Sequence, residues 1–204
     1  MITKRQKILD AALLLFSQQG LEGTSTGQIA KTAGVAKATL FHHFENKSLL
    51  IDELFRELKV ELFSTLAQHT EIAEQNRYQA FKFMWMTGIE WALENPIAMK
   101  FFTNVHFDPT TQTREVIVSQ MFASLDDIIL KGQQAEELMV LDINLVRHFI
   151  HSHFLICANW LVDQQEPQPE QSEKYINDSF DMCWRAIGGQ AQPSCLLDYQ
   201  RAIS

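Results

Sequence analysis

Lys37, Thr39, His42, His43 and Lys47 fall close together in a stretch whose only acid is Glu45. Ammonium, hydroxyl and imidazole groups at this spacing can donate to the phosphate oxygens and base edges of a DNA duplex. The side chains among them are small or aromatic: Ala36, Ala38 and Phe41. Such groups suit contact with thymine methyls in a major groove. Leu40 and Phe44, four residues apart, give the segment one apolar side by which it can be held.

The residues upstream explain how such a segment would be positioned. Ser25-Thr26-Gly27-Gln28 has the form of a capping box, so a helix is expected to start there and run through Ile29-Ala30-Lys31-Thr32. Ala33-Gly34-Val35 then makes a sharp turn, with Gly34 free to take the left-handed conformation. A second short helix follows from Lys37 to about His43. Ala30 is small enough for close approach of the two helices, and Val35 and Leu40 lock the second onto the first. Two short helices packed across a glycine turn make a helix-turn-helix. Ahead of them, a helix is expected from about Thr3 to Gln19, with Ile8, Ala11, Ala12, Leu15 and Phe16 on one face and Gly20 as its stop.

Charge is distributed to match. The 204-residue chain carries a formal charge of -8. Up to Lys47, however, six cations (Lys4, Arg5, Lys7, Lys31, Lys37, Lys47) face three anions (Asp10, Glu22, Glu45). A short basic end on an acidic body is drawn to phosphate by that end alone, which orients the molecule on a duplex.

These features resemble the DNA-binding domain of the tetracycline-repressor (TetR) family. The resemblance rests on Ile29, Ala30, Ala33, Gly34, Val35, Thr39, Leu40, Phe41, Phe44, Lys47 and Leu50, which agree in order and spacing, and it covers about Lys4 to Leu58. It implies that Lys37 and Ala38 contact bases, that Thr39, His43 and Lys47 contact phosphates, and that Ser25 and Thr26 touch the backbone from the start of the second helix. His42 suits either task. Two positions depart from the family pattern. Ala36 stands where a serine cap is common, and Phe41 stands where a tyrosine is common, so it has no hydroxyl for a phosphate.

Helical periodicity continues along the rest of the chain, without strand alternation or tandem repeats. Asn46 should cap a helix bearing Leu50, Leu54, Leu58 and Leu62 on one side. Further helices are expected at Asn76–Glu94, Pro96–His106, Thr113–Lys131, Asp142–Gln164 and Glu170–Ile187. Asn95-Pro96 provides a cap and a first-turn proline. The fold class is therefore all-α, about nine helices. The expected division is a helix-turn-helix DNA-binding domain at 1–47, a helical regulatory and dimerisation domain at 48–189, and a tail at 190–204.

The second domain is rich in methionine and aromatic residues. Most must pack the core, but adaptable methionines among rings also suit an apolar cavity. By the family resemblance a ligand pocket lies in the middle of this domain, with Trp85, Met86, Ile89, Met99, Phe102, Met121 and Phe122 as its expected walls. The last two helices carry more apolar surface than one protomer needs. The resemblance implies that this pair forms a four-helix bundle with a second copy, a C2 homodimer, through Phe149, Ile156, Trp160, Phe180 and Trp184.

Other chemistry is weaker. His148 and His151 lie i, i+3 on one helical face, a spacing that metal ligands use, but few carboxylates stand nearby, and core or interface histidines are the simpler reading. Cys157, Cys183 and Cys195 are odd in number and widely spaced, as expected of reduced thiols in a cytoplasmic protein. No catalytic pair, phosphate loop, cofactor motif or membrane span is evident. The expected function is a DNA-binding transcriptional regulator. It would be a repressor on a palindromic operator, released by an unidentified small and largely apolar effector. The alternative is a helical ligand carrier or enzyme with a vestigial DNA-binding domain.

Overall fold

The computed structural model describes residues 2–66, 76–106, 123–164 and 168–190, and every regular element among them is helical. In chain order the helices are α1 (Lys4–Gly23), α2 (Thr26–Thr32), α3 (Lys37–His43), α4 (Lys47–Leu66), α5 (Arg77–Glu94), α6 (Pro96–His106), α7 (Ala123–Gln134), α8 (Ile143–Val162) and α9 (Pro169–Ala186). The expected helix at 113–131 is described only from Ala123 onward, and the tail from residue 191 lies outside the described residues.

Capping chemistry sets most boundaries. Thr3, Asn76 and Asp142 each accept a backbone N–H from the first turn of α1, α5 and α8. Asn46 accepts from the Leu49 N–H at 2.9 Å and so begins α4. Asn95 behaves differently from the expectation. Its side-chain amide donates back to the Trp91 carbonyl at 3.0 Å, closing α5. Gly20 takes φ +74 as expected, but the chain kinks and resumes a last turn to Gly23 instead of stopping.

The apolar face predicted for α1 is buried in full: Ile8, Ala11, Ala12, Leu15 and Phe16. Together with Ile29, Ala30, Leu40, Phe44 and Leu50 it forms the core of the N-terminal three helices. Behind them, α5 is central and packs against α4, α6, α7, α8 and α9. Two links join the ends of the molecule. Helix α4 runs without a break from its contact with α1 to its contact with α5 in the C-terminal bundle. Helix α6 packs along α1, where Phe101 stacks on Phe16 with ring centroids 6.0 Å apart. No described helix is long and apolar enough to cross a membrane.

Candidate nucleic-acid interface and ligand cavity

The geometry of the turn follows from its sequence. Ser25 Oγ accepts from the Gln28 N–H at 3.2 Å, and Gln28 Oε1 accepts from the Ser25 N–H at 2.8 Å, a complete capping box. At the other end of α2, Gly34 adopts φ +67. Its N–H bonds to the Lys31 carbonyl at 3.2 Å, and the Val35 N–H reaches the Ala30 carbonyl at 3.0 Å. This paired pattern closes the helix by satisfying carbonyls that would otherwise be orphaned. It also sends the chain directly into α3.

Helix α3 is divided cleanly by side. Leu40 is fully buried and Phe44 nearly so, anchoring the helix against α1 and α2. Ala36, Lys37, Ala38, Phe41, His42 and His43 are exposed, and Thr39 is half-buried. Lys37 Nζ stands 5.7 Å above the Phe41 ring, and the His42 and His43 rings meet edge-on at 5.4 Å. At Phe41, then, the aromatic ring supports the cation instead of supplying a hydroxyl. Ala36 begins α3 in extended geometry without a side-chain cap. Ser25 is exposed, and Thr26 and Lys47 are half-buried.

Of the cations in the basic end, Arg5 is engaged within the protein. Its guanidinium donates to Glu53 at 2.9 Å and also pairs with Glu57, pinning α1 to α4. Both pairs are partly solvated, so their effect on stability is small.

A cavity lies between α4, α5, α7 and α8. Counting its open mouth, it offers about 560 Å3 free of protein atoms. Its walls include Lys59, Leu62, Phe81, Met84, Trp85 and Phe154. Among the expected wall residues Trp85 is there. Met86, Ile89, Met99 and Phe102 are not. Ile89, Met99 and Phe102 are buried in the surrounding core, and the Phe102 ring lies 4.4 Å from the Nζ of the wall residue Lys59. Met121 and Phe122 lie outside the described residues. Periodicity distinguishes buried from exposed positions, but it does not tell a packed wall from an open one.

Lys59 is the residue that sequence reasoning missed. It stands i+4 from Phe55 and i−3 from Leu62, in phase with the buried face of α4, and that phase was the available signal.

The exposed face of α8 carries Leu145, Phe149, Ile156 and Trp160, and α9 adds Met182. Ile156 is 62% exposed and Trp160 45%, the latter stacked on Tyr175 at 4.0 Å. Phe180 and Trp184 require a correction. Both turn inward, packing edge-on against Tyr78 with centroids 5.2 and 5.5 Å away, and they belong to the protomer's own core. An apolar residue on a helix enclosed on several sides reads the same in sequence whether it meets its own core or a partner.

His148 is exposed, and among the described residues no three ligating side chains gather as a metal site needs. His153 Nε2 donates to the Ser179 carbonyl at 2.9 Å. Cys157 and Cys183 are buried free thiols, and burial pushes Cys183 up to about 12, far from the reactive thiolate. Cys195 lies outside the described residues.

A family model of bacterial regulatory proteins, tetR family, matches residues 8–54. A crystal structure from Shewanella sp. PV-4, described as a tetR family transcription regulator, is 32% identical with a TM-score of 0.80, over 91% of this chain and 98% of that one. The HTH-type transcriptional regulator AcrR of Shigella flexneri is 55% identical over 51 residues, which are 25% of this chain and 24% of AcrR. The chain thus matches about a quarter of the length of that relative. The fold is also that of FadR from Bacillus subtilis, solved in complex with stearoyl-CoA, with a TM-score of 0.68 and 19% identity over 91% of this chain and 98% of that one.

Proposed function

Because the chain belongs to the tetR family of bacterial transcription regulators, we propose that it is a sequence-specific repressor, released from its operator by a small, largely apolar ligand. The observation that carries this reading is the two-sided construction of α3. One side is buried in the N-terminal core, and the other offers Lys37, Ala38, Phe41, His42 and His43 to solvent. Lys37 and Ala38 would read base edges. Thr39, His43 and Lys47, with Ser25 and Thr26 at the start of α2, would hold phosphates.

The protein would act in the cytoplasm as a homodimer. The apolar stripe Leu145, Phe149, Ile156 and Trp160 on α8, with Met182 on α9, is the surface that a second copy would cover. Two copies of α3 would then enter successive major grooves on one face of a palindromic site, about 34 Å apart. A ligand in the cavity beside α4 would favour a conformation with a different separation. It would need only unequal affinity for the two states. FadR with stearoyl-CoA supports this use of the fold, since it is a regulator of the same architecture that takes a ligand.

The reading is tested by titrating purified protein against the promoter region next to its own gene in a gel-shift assay, with the assembly followed by sedimentation. Binding should be salt-sensitive, should prefer one sequence over random DNA, and should be carried by the dimer. Equal retention of all sequences would contradict it. A carrier or enzyme with a vestigial DNA-binding domain would instead leave Lys37→Ala and Lys47→Ala without consequence in the cell.

A further inference from the structure

Lys59 occupies the middle of α4 with 3% of its surface exposed. Its Nζ lies over the Phe102 ring at 4.4 Å and the Phe55 ring at 5.6 Å. Ring faces offset part of the cost of taking an ammonium out of water. They do not replace a counter-charge, and no acid among the described residues supplies one; burial alone acts on the group, lowering it to about 8. The same lysine forms part of the cavity wall, among Leu62, Phe81, Met84 and Phe154. A further wall residue, Trp85, is 2% exposed, and its indole N–H finds no acceptor among the described residues. The cavity wall, otherwise apolar, therefore includes a buried lysine at Lys59, an indole with a spare donor at Trp85 and an imidazole at His151.

Those properties select a ligand class. A neutral hydrocarbon would fill the lining but leave the ammonium without a counter-charge. An amine would add a second buried cation. A chain with one anionic acceptor head complements both features, because a charge-assisted hydrogen bond in a dry site is short and strong. We propose that the cavity binds an aliphatic monocarboxylate, its carboxylate seated on Lys59 and its chain lying along Phe81, Met84 and Phe154. This deepens the effector reading above and rests on it. Phe102, on which Lys59 rests, adjoins Phe101 at 6.2 Å, and Phe101 stacks on Phe16 of α1. A carboxylate that draws Lys59 away from Phe102 would thus disturb the packing beneath the DNA-binding end.

The test is calorimetric titration of the full chain, without DNA, with decanoate, decan-1-ol and decylamine. Decanoate should bind about tenfold or more tightly than decan-1-ol, as one charge-assisted contact implies, and decylamine should bind most weakly. Lys59→Met should abolish the preference for decanoate while leaving decan-1-ol binding intact. Lys59→Arg should retain the preference, and it keeps the comparison available if the methionine variant does not fold. Several results would overturn the proposal. Decanoate and decan-1-ol could bind the native protein equally, or the preference could survive Lys59→Met. All straight-chain acids from octanoate to stearate could give no heat, or stearoyl-CoA could bind while the free acids do not. Because no DNA is present, none of these results bears on the gel-shift test, and failure of that test leaves these heats unexplained by it.

Discussion

Asn104 on α6 donates its side-chain N–H to the Phe16 carbonyl of α1 at 2.9 Å, across the contact that joins the C-terminal bundle to the N-terminal three helices. The bond is part-buried and lies beside the Phe16–Phe101 stack. Asn104→Ala removes the donor and leaves a carbonyl without this partner. The expected cost is about 1 kcal/mol, typical of a net intramolecular hydrogen bond. Urea unfolding should show a lower midpoint with an unchanged slope. An unchanged midpoint would mean that this contact does not help hold the two parts together.

Ala36 offers the opposite kind of change. It has extended geometry (φ −67, ψ 147) at the cap of α3 and no side chain to accept an N–H. Ala36→Ser should satisfy one orphaned donor and stabilise the protein by roughly 0.5–2 kcal/mol. A rise in the thermal midpoint checks it. A fall would show that the cap position is crowded or already served by other groups.

Lys59 gives a pH signature. Its ordinary value is 10.5, and burial lowers it to about 8 in the fold. Between these values the unfolded chain holds the proton and the folded chain does not, so stability rises with pH across that window. The full penalty is present below pH 8 and is relieved toward pH 10.5, by about 3 kcal/mol in all. Cys183 pulls the other way above its usual 9, because burial pushes it up to about 12. The quantity to measure is therefore the difference between native and Lys59→Met unfolding free energies as a function of pH. The native protein should gain on the variant between pH 8 and 10.5. A flat difference would mean that the ammonium is paired or solvated.

Lys47 is the half-buried cation at the start of α4 that would hold a phosphate. Lys47→Ala should reduce the slope of log affinity against log salt by about 0.9, the value for one released counterion, and weaken all sequences alike. Filter binding at several salt concentrations measures it. A change of preference with an unchanged slope would assign Lys47 to bases instead.

The sequence was most legible where local chemistry decides the structure. The capping box at Ser25 and Gln28, the left-handed turn at Gly34 and the burial of Leu40 all follow from residues within one turn of each other. Legibility fell where the answer depends on what lies across the bundle. Met99 and Trp85 look equally suited to a pocket wall, and only packing makes one solid core and the other a wall. Ile156 and Phe180 look equally suited to a partner's face, yet one is exposed and the other fully buried. Lys59 was hidden because lysine is read as a surface residue by default, although its position in the helical repeat matched the buried leucines of α4.

The central claim is that two copies of α3 grip one face of a duplex. Chemical footprinting of a selected binding site tests it most directly. The account predicts two protected major-groove patches about 10 base pairs apart, or a multiple of that, related by a palindrome. Both should be lost together in Ile156→Glu, which places a charge on the proposed dimer face, and each should weaken in Lys37→Ala. A single unrepeated patch, or protection that Lys37→Ala leaves untouched, would contradict the account.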